Sequence, residues 1–165
     1  MQQFANSGTA FPKNYSMTLG SEVATRTVNI PDSSDAVELV VLDCSGREIY
    51  SDILAAVWQG AALVLAVFDL TREESLAAAR VWAERAREAG GGRQLPGVLL
   101  GNKSDLADRR LVGSKAGLDS AAQLGFQYFE ASAKENTGLE EPFYYLANEF
   151  HKLYSDQATM MASLG

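Results

Sequence analysis

Two short stretches carry side chains at spacings that suit one planar ligand. The run Asn102-Lys103-Ser104-Asp105 follows the apolar Val98-Leu99-Leu100, and Ser132-Ala133-Lys134 follows a second apolar segment about thirty residues later. A carboxylate accepts two parallel hydrogen bonds, and guanine offers a matching pair in N1–H and its 2-amino group. Adenine has no such pair, so Asp105 in this place selects guanine. Asn102 can donate to N7 and brace its loop, and the stem of Lys103 can lie along base and ribose. A backbone N–H from the 132–134 loop would meet guanine O6, with Lys134 covering the other face. Each stretch alone reads equally as a turn, because Asn, Asp and Ser favour turns. Their order, each behind an apolar strand, gives the pair its weight.

A third group lies upstream. In Asp43-Cys44-Ser45-Gly46, an Asp at a strand end reaches Mg²⁺ through water, and a Gly amide can approach a terminal phosphate closely. D-x-x-G alone specifies little, and its position before the Asn-Lys-Ser-Asp run strengthens it. Thr18, in "MTLG", would be a metal-coordinating threonine, or else an ordinary loop hydroxyl.

Elements must set these residues at one edge. Residues 21–30 and 36–43 read as strands joined by the turn "PDSSD", an antiparallel hairpin. Residues 44–60 read as a loop running into a short helix. The continuous apolar run 61–70 has the character of a strand buried on both faces. Thr71 to Glu74 fits a capping box opening a helix, with Ala78, Trp82 and Ala86 at helical spacing and "GGG" (90–92) closing it. "GVLLGN" is a further buried strand, 114–125 a helix ended by Gly125, and 126–132 a short strand. Leu139, Phe143, Leu146, Phe150 and Leu153 form the stripe of a final helix, core-facing over its first four positions. Strands alternating with helices predict an α/β fold with a mainly parallel sheet. In such sheets ligands bind beyond the carboxyl ends of the strands, where Asp43, Asn102, Asp105 and Ser132 fall.

Composition bounds the function. With 165 residues the chain has the length of one domain, so 1–165 is read as a single domain. A net charge of −7 argues against a nucleic-acid surface, though not against one bound nucleotide. One cysteine, Cys44, permits no intrachain disulfide, and one histidine, His151, argues against a His/Cys metal cluster. The N-terminal run "MQQFANSGTA" has no secretory pattern, and "MMASLG" offers no cysteine for a lipid anchor.

The quoted motifs, with "NYSMTLG", "LDCSG", "LPGVLLGNKSDLADRR", "EASAK" and "PFYYLANEFHKLY", resemble Rab-like small GTPases, and among them the Rab-like subunits of the intraflagellar transport B complex. The resemblance covers residues 4–156. It implies a small-GTPase G-domain fold, GTP/GDP with Mg²⁺, and ciliary cargo transport in cilium and cytoplasm. It also implies a small β-sandwich subunit of the same complex as partner, beside other transport subunits, with no nucleic acid and no lipid anchor. The family's phosphate-binding loop, G-x-x-x-x-G-K-[ST], does not occur in the sequence. The resemblance implies that it and a first strand precede residue 1, and that 1–8 continue the helix behind that loop. That strand would lie between the 36–43 and 61–70 strands. Nucleotide binding by this chain is therefore expected to be weak or absent. Arg47 stands where active relatives place the glutamine that orients the attacking water. An arginine cannot accept a hydrogen bond from that water, so very slow hydrolysis and no catalytic residue are expected. Two other readings are an ordinary Rab-type GTP-hydrolysing switch in vesicle trafficking, and a receiver-like module with Asp69 as phospho-acceptor.

Overall fold

In the computed structural model, backbone is described for residues 18–163 and side chains for 18–155. The expectation for residues 1–8 lies outside this range. Strands β1 (Ser21–Asn29) and β2 (Ala36–Cys44) form an antiparallel hairpin in which Ser21 faces Cys44 and Asn29 faces Ala36. Strands β3 (Val64–Asp69), β4 (Gly97–Asn102) and β5 (Gln127–Glu130) form a parallel sheet in the order β3-β4-β5. The helices are α1 (Ser51–Trp58), α2 (Glu73–Ala89), α3 (Ser114–Leu124) and α4 (Glu140–Ser163).

Sequence pattern explains the layers. Strand β4 is apolar throughout, and Gly97 to Gly101 are all buried, because helices cover both faces of the sheet. On one face Val64, Ala66, Phe68, Leu70 and Leu99 pack against α2 and α3. On the other, Val98 and Leu100 meet Leu139, just before α4, and Leu146 within it. The hairpin alternates instead: Val28, Ile30 and Leu39 turn inward onto Phe143 and Ala147 of α4, while Val23, Val40 and Leu42 stand exposed. Helix α4 packs on both sheets, and Leu63 and Leu65 at β3 also reach the hairpin cluster.

Among the described residues no ladder joins β2 to β3. These are the strands between which the family resemblance implies a further strand. None of the described helices is long and apolar enough to cross a membrane.

Three local expectations are corrected. Helix α2 begins at Glu73 with no side-chain cap, because the Thr71 hydroxyl is bonded to Asp69 rather than to its own helix. Its core face runs through Ala79, Ala83 and Ala86, with Trp82 only half-buried, edge-on to Trp58 at 5.9 Å. The buried stripe of α4 ends at Ala147. Phe150 is exposed, since by that point the helix has passed the sheet.

Candidate functional site

The carboxyl ends of β4 and β5 hold two loops fastened to each other. Asn102 ends β4, and its Oδ1 accepts the N–H of Lys103 at 2.8 Å and that of Ala133 at 3.1 Å. Two N–H donors on one oxygen fix the amide orientation, so the Asn102 NH₂ points away from both. Asp105 Oδ1 accepts the Ser132 hydroxyl at 2.6 Å. The Ser132 Oγ in turn accepts the Glu135 N–H at 3.1 Å. Backbone bonds complete the stitching: Ser104 N–H to Ala131 O at 3.1 Å, and Ala131 N–H to Gly101 O at 2.9 Å. The second loop closes on itself through Ser132 and Thr137, which exchange both backbone bonds. Gly138 follows at φ 66°, where a Cβ would stand 2.5 Å from Glu130 O, so no other residue fits that corner.

Ser132 is wholly buried and the Asp105 side chain is 5 % exposed, so this carboxylate is held rather than free to turn. Lys134 is exposed, with its Nζ 3.7 Å from Asp105 Oδ2. The expected cover for a base therefore rests on the carboxylate itself, and its exposed stem leaves it able to swing aside. The Ala133 N–H, one candidate donor for guanine O6, is directed at Asn102 and serves to fasten the loop.

Lys103 adopts φ 69°, a left-handed backbone that costs a lysine roughly 1–2 kcal/mol. Its Nζ lies 2.6 Å from Asp69 Oδ2, and Asp69 Oδ1 accepts both the N–H and the hydroxyl of Thr71, at 2.8 and 2.7 Å. Burial pushes the Asp69 carboxyl upward, but the bonds from Lys103 and Thr71 outweigh it and its pKa lies below the ordinary range. Both oxygens are thus engaged.

Behind β5 sits a polar group that sequence reasoning missed. Arg110 donates to both oxygens of Glu130, to Ser114 Oγ and to Val112 O, while Tyr128 OH donates to Glu130 at 2.7 Å. The guanidinium holds the Glu130 carboxyl below its usual range. Burial, then the neighbouring Glu130, pushes the Tyr128 hydroxyl up. The visible signal was weak: an Arg pair at 109–110 and an acidic residue just before Ala131.

The third group is placed by the hairpin. Glu22 faces Asp43, and Ser45 N–H to Gly20 O at 2.9 Å extends the ladder toward Thr18. Asp43 and Thr18 are half-buried and Gly46 is exposed, with nothing within 4 Å of where its Cβ would stand. Thr18, Asp43 and Gly46 take no part in the hydrogen bonds that join the two loops at β4 and β5. Among the described residues no three His, Cys, Asp or Glu side chains gather into a metal cluster. One hydroxyl and one carboxylate suit Mg²⁺, which takes few protein oxygens and fills its octahedron with phosphate and water. Arg47 is exposed, and its carbonyl accepts the Tyr50 N–H at the start of the short 3₁₀ turn before α1.

A parallel sheet with its base loops stitched at the carboxyl edge, flanked by a β-hairpin ending in D-x-x-G, defines a G domain. A Ras family profile matches residues 1–152. The chain is 40 % identical over 163 residues to the intraflagellar transport protein 27 homologs of Bos taurus and Homo sapiens, spanning 99 % of this chain and 88 % of each relative. It is 32 % identical over 161 residues to intraflagellar transport protein 27 of Chlamydomonas reinhardtii, spanning 95 % of this chain and 79 % of that one. The chain belongs to the Ras family of small GTPases, and within it to the Rab-like intraflagellar transport group.

Proposed function

We propose that this chain is the Rab-like, guanine-nucleotide-binding subunit of an intraflagellar transport machinery, acting in ciliary cargo transport through protein partners in cilium and cytoplasm. The observation that carries the site is the fastening of one loop to the other through Asn102–Ala133 and Asp105–Ser132. That clamp leaves a fixed carboxylate and a fixed amide at one edge, a donor and acceptor set complementary to guanine. Asn102, Lys103, Asp105, Ser132, Ala133 and Lys134 make up the base site. Thr18 and Asp43 would hold Mg²⁺, with Gly46 near a terminal phosphate. When bound, that ion would neutralise phosphate charge.

Base contacts by themselves bind weakly. Base contacts supply about 1.5–3 kcal/mol per charge-assisted hydrogen bond, less the cost of immobilising the ligand. The 165 residues contain no G-x-x-x-x-G-K-[ST] cradle to add phosphate contacts. With Arg47 at the water-orienting position, any turnover is very slow and the protein works by binding. The partner is the small β-sandwich subunit of the intraflagellar transport B complex, and the exposed end of α4 is its docking face. There Leu153 and Tyr154 are 46 % and 65 % exposed.

The test is an NMR titration of the chain with guanosine and adenosine. Shifts confined to residues 102–105 and 132–138 with guanosine alone support the reading. Equal response to both nucleosides, or none, overturns it.

A further inference from the structure

Asp69 belongs to none of the base-site motifs, yet it reaches into them. The parallel register sets it opposite Asn102, one residue from Lys103. Thr71 takes Oδ1 with two bonds, which stops the carboxylate from turning and leaves Oδ2 aimed at the Lys103 ammonium. Lys103 is therefore tied at both ends: its N–H to Asn102 Oδ1, its Nζ to Asp69. The anchor is the less accessible of the two, with the Asp69 side chain 15 % exposed and the lysine 50 %. What lies between the two tethers is a four-carbon stem, stretched across the ends of β4 and β3 and open to solvent.

We infer that Asp69, backed by Thr71, is a positioning residue for the guanine site: it fixes Lys103 so that the aliphatic stem stands as a ready-made wall beside the base. This rests on the guanine reading proposed above. A lysine stem left loose must be ordered when a ligand arrives, and that ordering weakens binding. The Asp69 tether orders it beforehand. It also draws the ammonium to the β3 end, so the face offered to the base is hydrocarbon. The left-handed backbone at Lys103 agrees with this, because a strained position is retained where its side chain has a task.

Guanosine is the right probe, since it carries no phosphate and reports on the base site alone. In NMR titrations Asp69→Asn should weaken guanosine about fivefold, and Lys103→Met, which removes the charge and its tether, should do the same. The double variant should be no weaker than either single one, because both remove one tether. Thr71→Val should weaken guanosine in the same direction by less. A role in stability alone would lower the melting temperature of Asp69→Asn and leave guanosine affinity unchanged. Unchanged affinity in Asp69→Asn, or losses that multiply in the double variant, would overturn the inference. If Asp69→Asn does not fold, Thr71→Val in combination with Lys103→Met decides by the same comparison. Failure of the unaltered chain to prefer guanosine over adenosine would instead overturn the base-site reading beneath it.

Discussion

Asp105 keeps one oxygen on Ser132 and turns a second toward the exposed Lys134. Guanine recognition needs both oxygens as acceptors. Replacing one by an NH₂ should therefore hurt guanine and suit a base with a carbonyl at position 2. We expect Asp105→Asn to weaken guanosine about tenfold and xanthosine much less, read by competition in the same NMR titration. Equal loss for both nucleosides would remove Asp105 from base selection. Glu130 makes a different prediction, about pH. Its folded carboxyl titrates below the reference value of 4.5, owing first to Arg110. The native state therefore stays ionised where the unfolded chain begins to take up protons. Its contribution to stability is complete above pH 4.5 and is lost as pH falls through the folded value. Glu130→Gln should cost about 2 kcal/mol at pH 7 by urea unfolding, with the gap narrowing in acid. A gap constant down to pH 3 would mean that Glu130 acts by packing alone. The meeting of Asn102 and Asp105 with Ser132 and Ala133 was legible because each group follows an apolar strand of one parallel sheet. The Asp69–Lys103 tether and the Arg110–Glu130 pair were not, since long-range partners leave no periodic mark in a chain.

At the scale of elements, most strands and helices follow from periodicity, and the misses have physical causes. Thr71 has the sequence of a cap, but a carboxylate two residues back competes for its hydroxyl and wins. Trp82 is too large for the tight helix–sheet contact, which falls to Ala79 and Ala83 instead. On α4 the apolar stripe continues past the sheet, which no count along the sequence can locate. The consequence is a surface: Phe150, Leu153 and Tyr154 are exposed on consecutive turns. Tyrosine is enriched at interface hot spots, and the pair is large enough to anchor a partner. Leu153→Glu with Tyr154→Ala should weaken the β-sandwich subunit by more than about 2 kcal/mol in calorimetric titration. The far-ultraviolet spectrum and guanosine response should be unchanged. Binding as tight as the parent's would move the interface off α4.

Among the described residues two sheets meet chiefly through α4, with Leu63 and Leu65 at β3 and the Trp58 Nε1–Cys44 Sγ bond adding to the seam. A two-stranded hairpin is marginal in water without further packing, and among the described residues β2 gains no ladder from β3. Its attachment must come from elsewhere. An ion pair, Arg26–Glu140, and a hydrogen bond, His151 Nε2 to Asp35 Oδ2, link it to α4, each at 2.8 Å, but both are partly exposed and such contacts contribute only about 0–1 kcal/mol. The stronger tie is apolar: Val28, Ile30 and Leu39 on Phe143, itself 5 % exposed. Removing a buried Phe costs about 3–5 kcal/mol, which exceeds both polar links together. Native-state hydrogen exchange should therefore show two levels of protection. The amides of β1 and β2 should open together at a lower free energy than those of β4, whose strand is bonded on both sides and buried on both faces. Phe143→Ala should strip the hairpin of protection first and leave β4 slow. Leu146→Ala, which packs on Val98 and Leu100 instead, should act on β4 and leave the order of the two levels less separated. If the hairpin and β4 exchange with one common free energy, and Phe143→Ala lowers both alike, then the two sheets unfold as one unit and α4 is a part of that unit rather than the link between two.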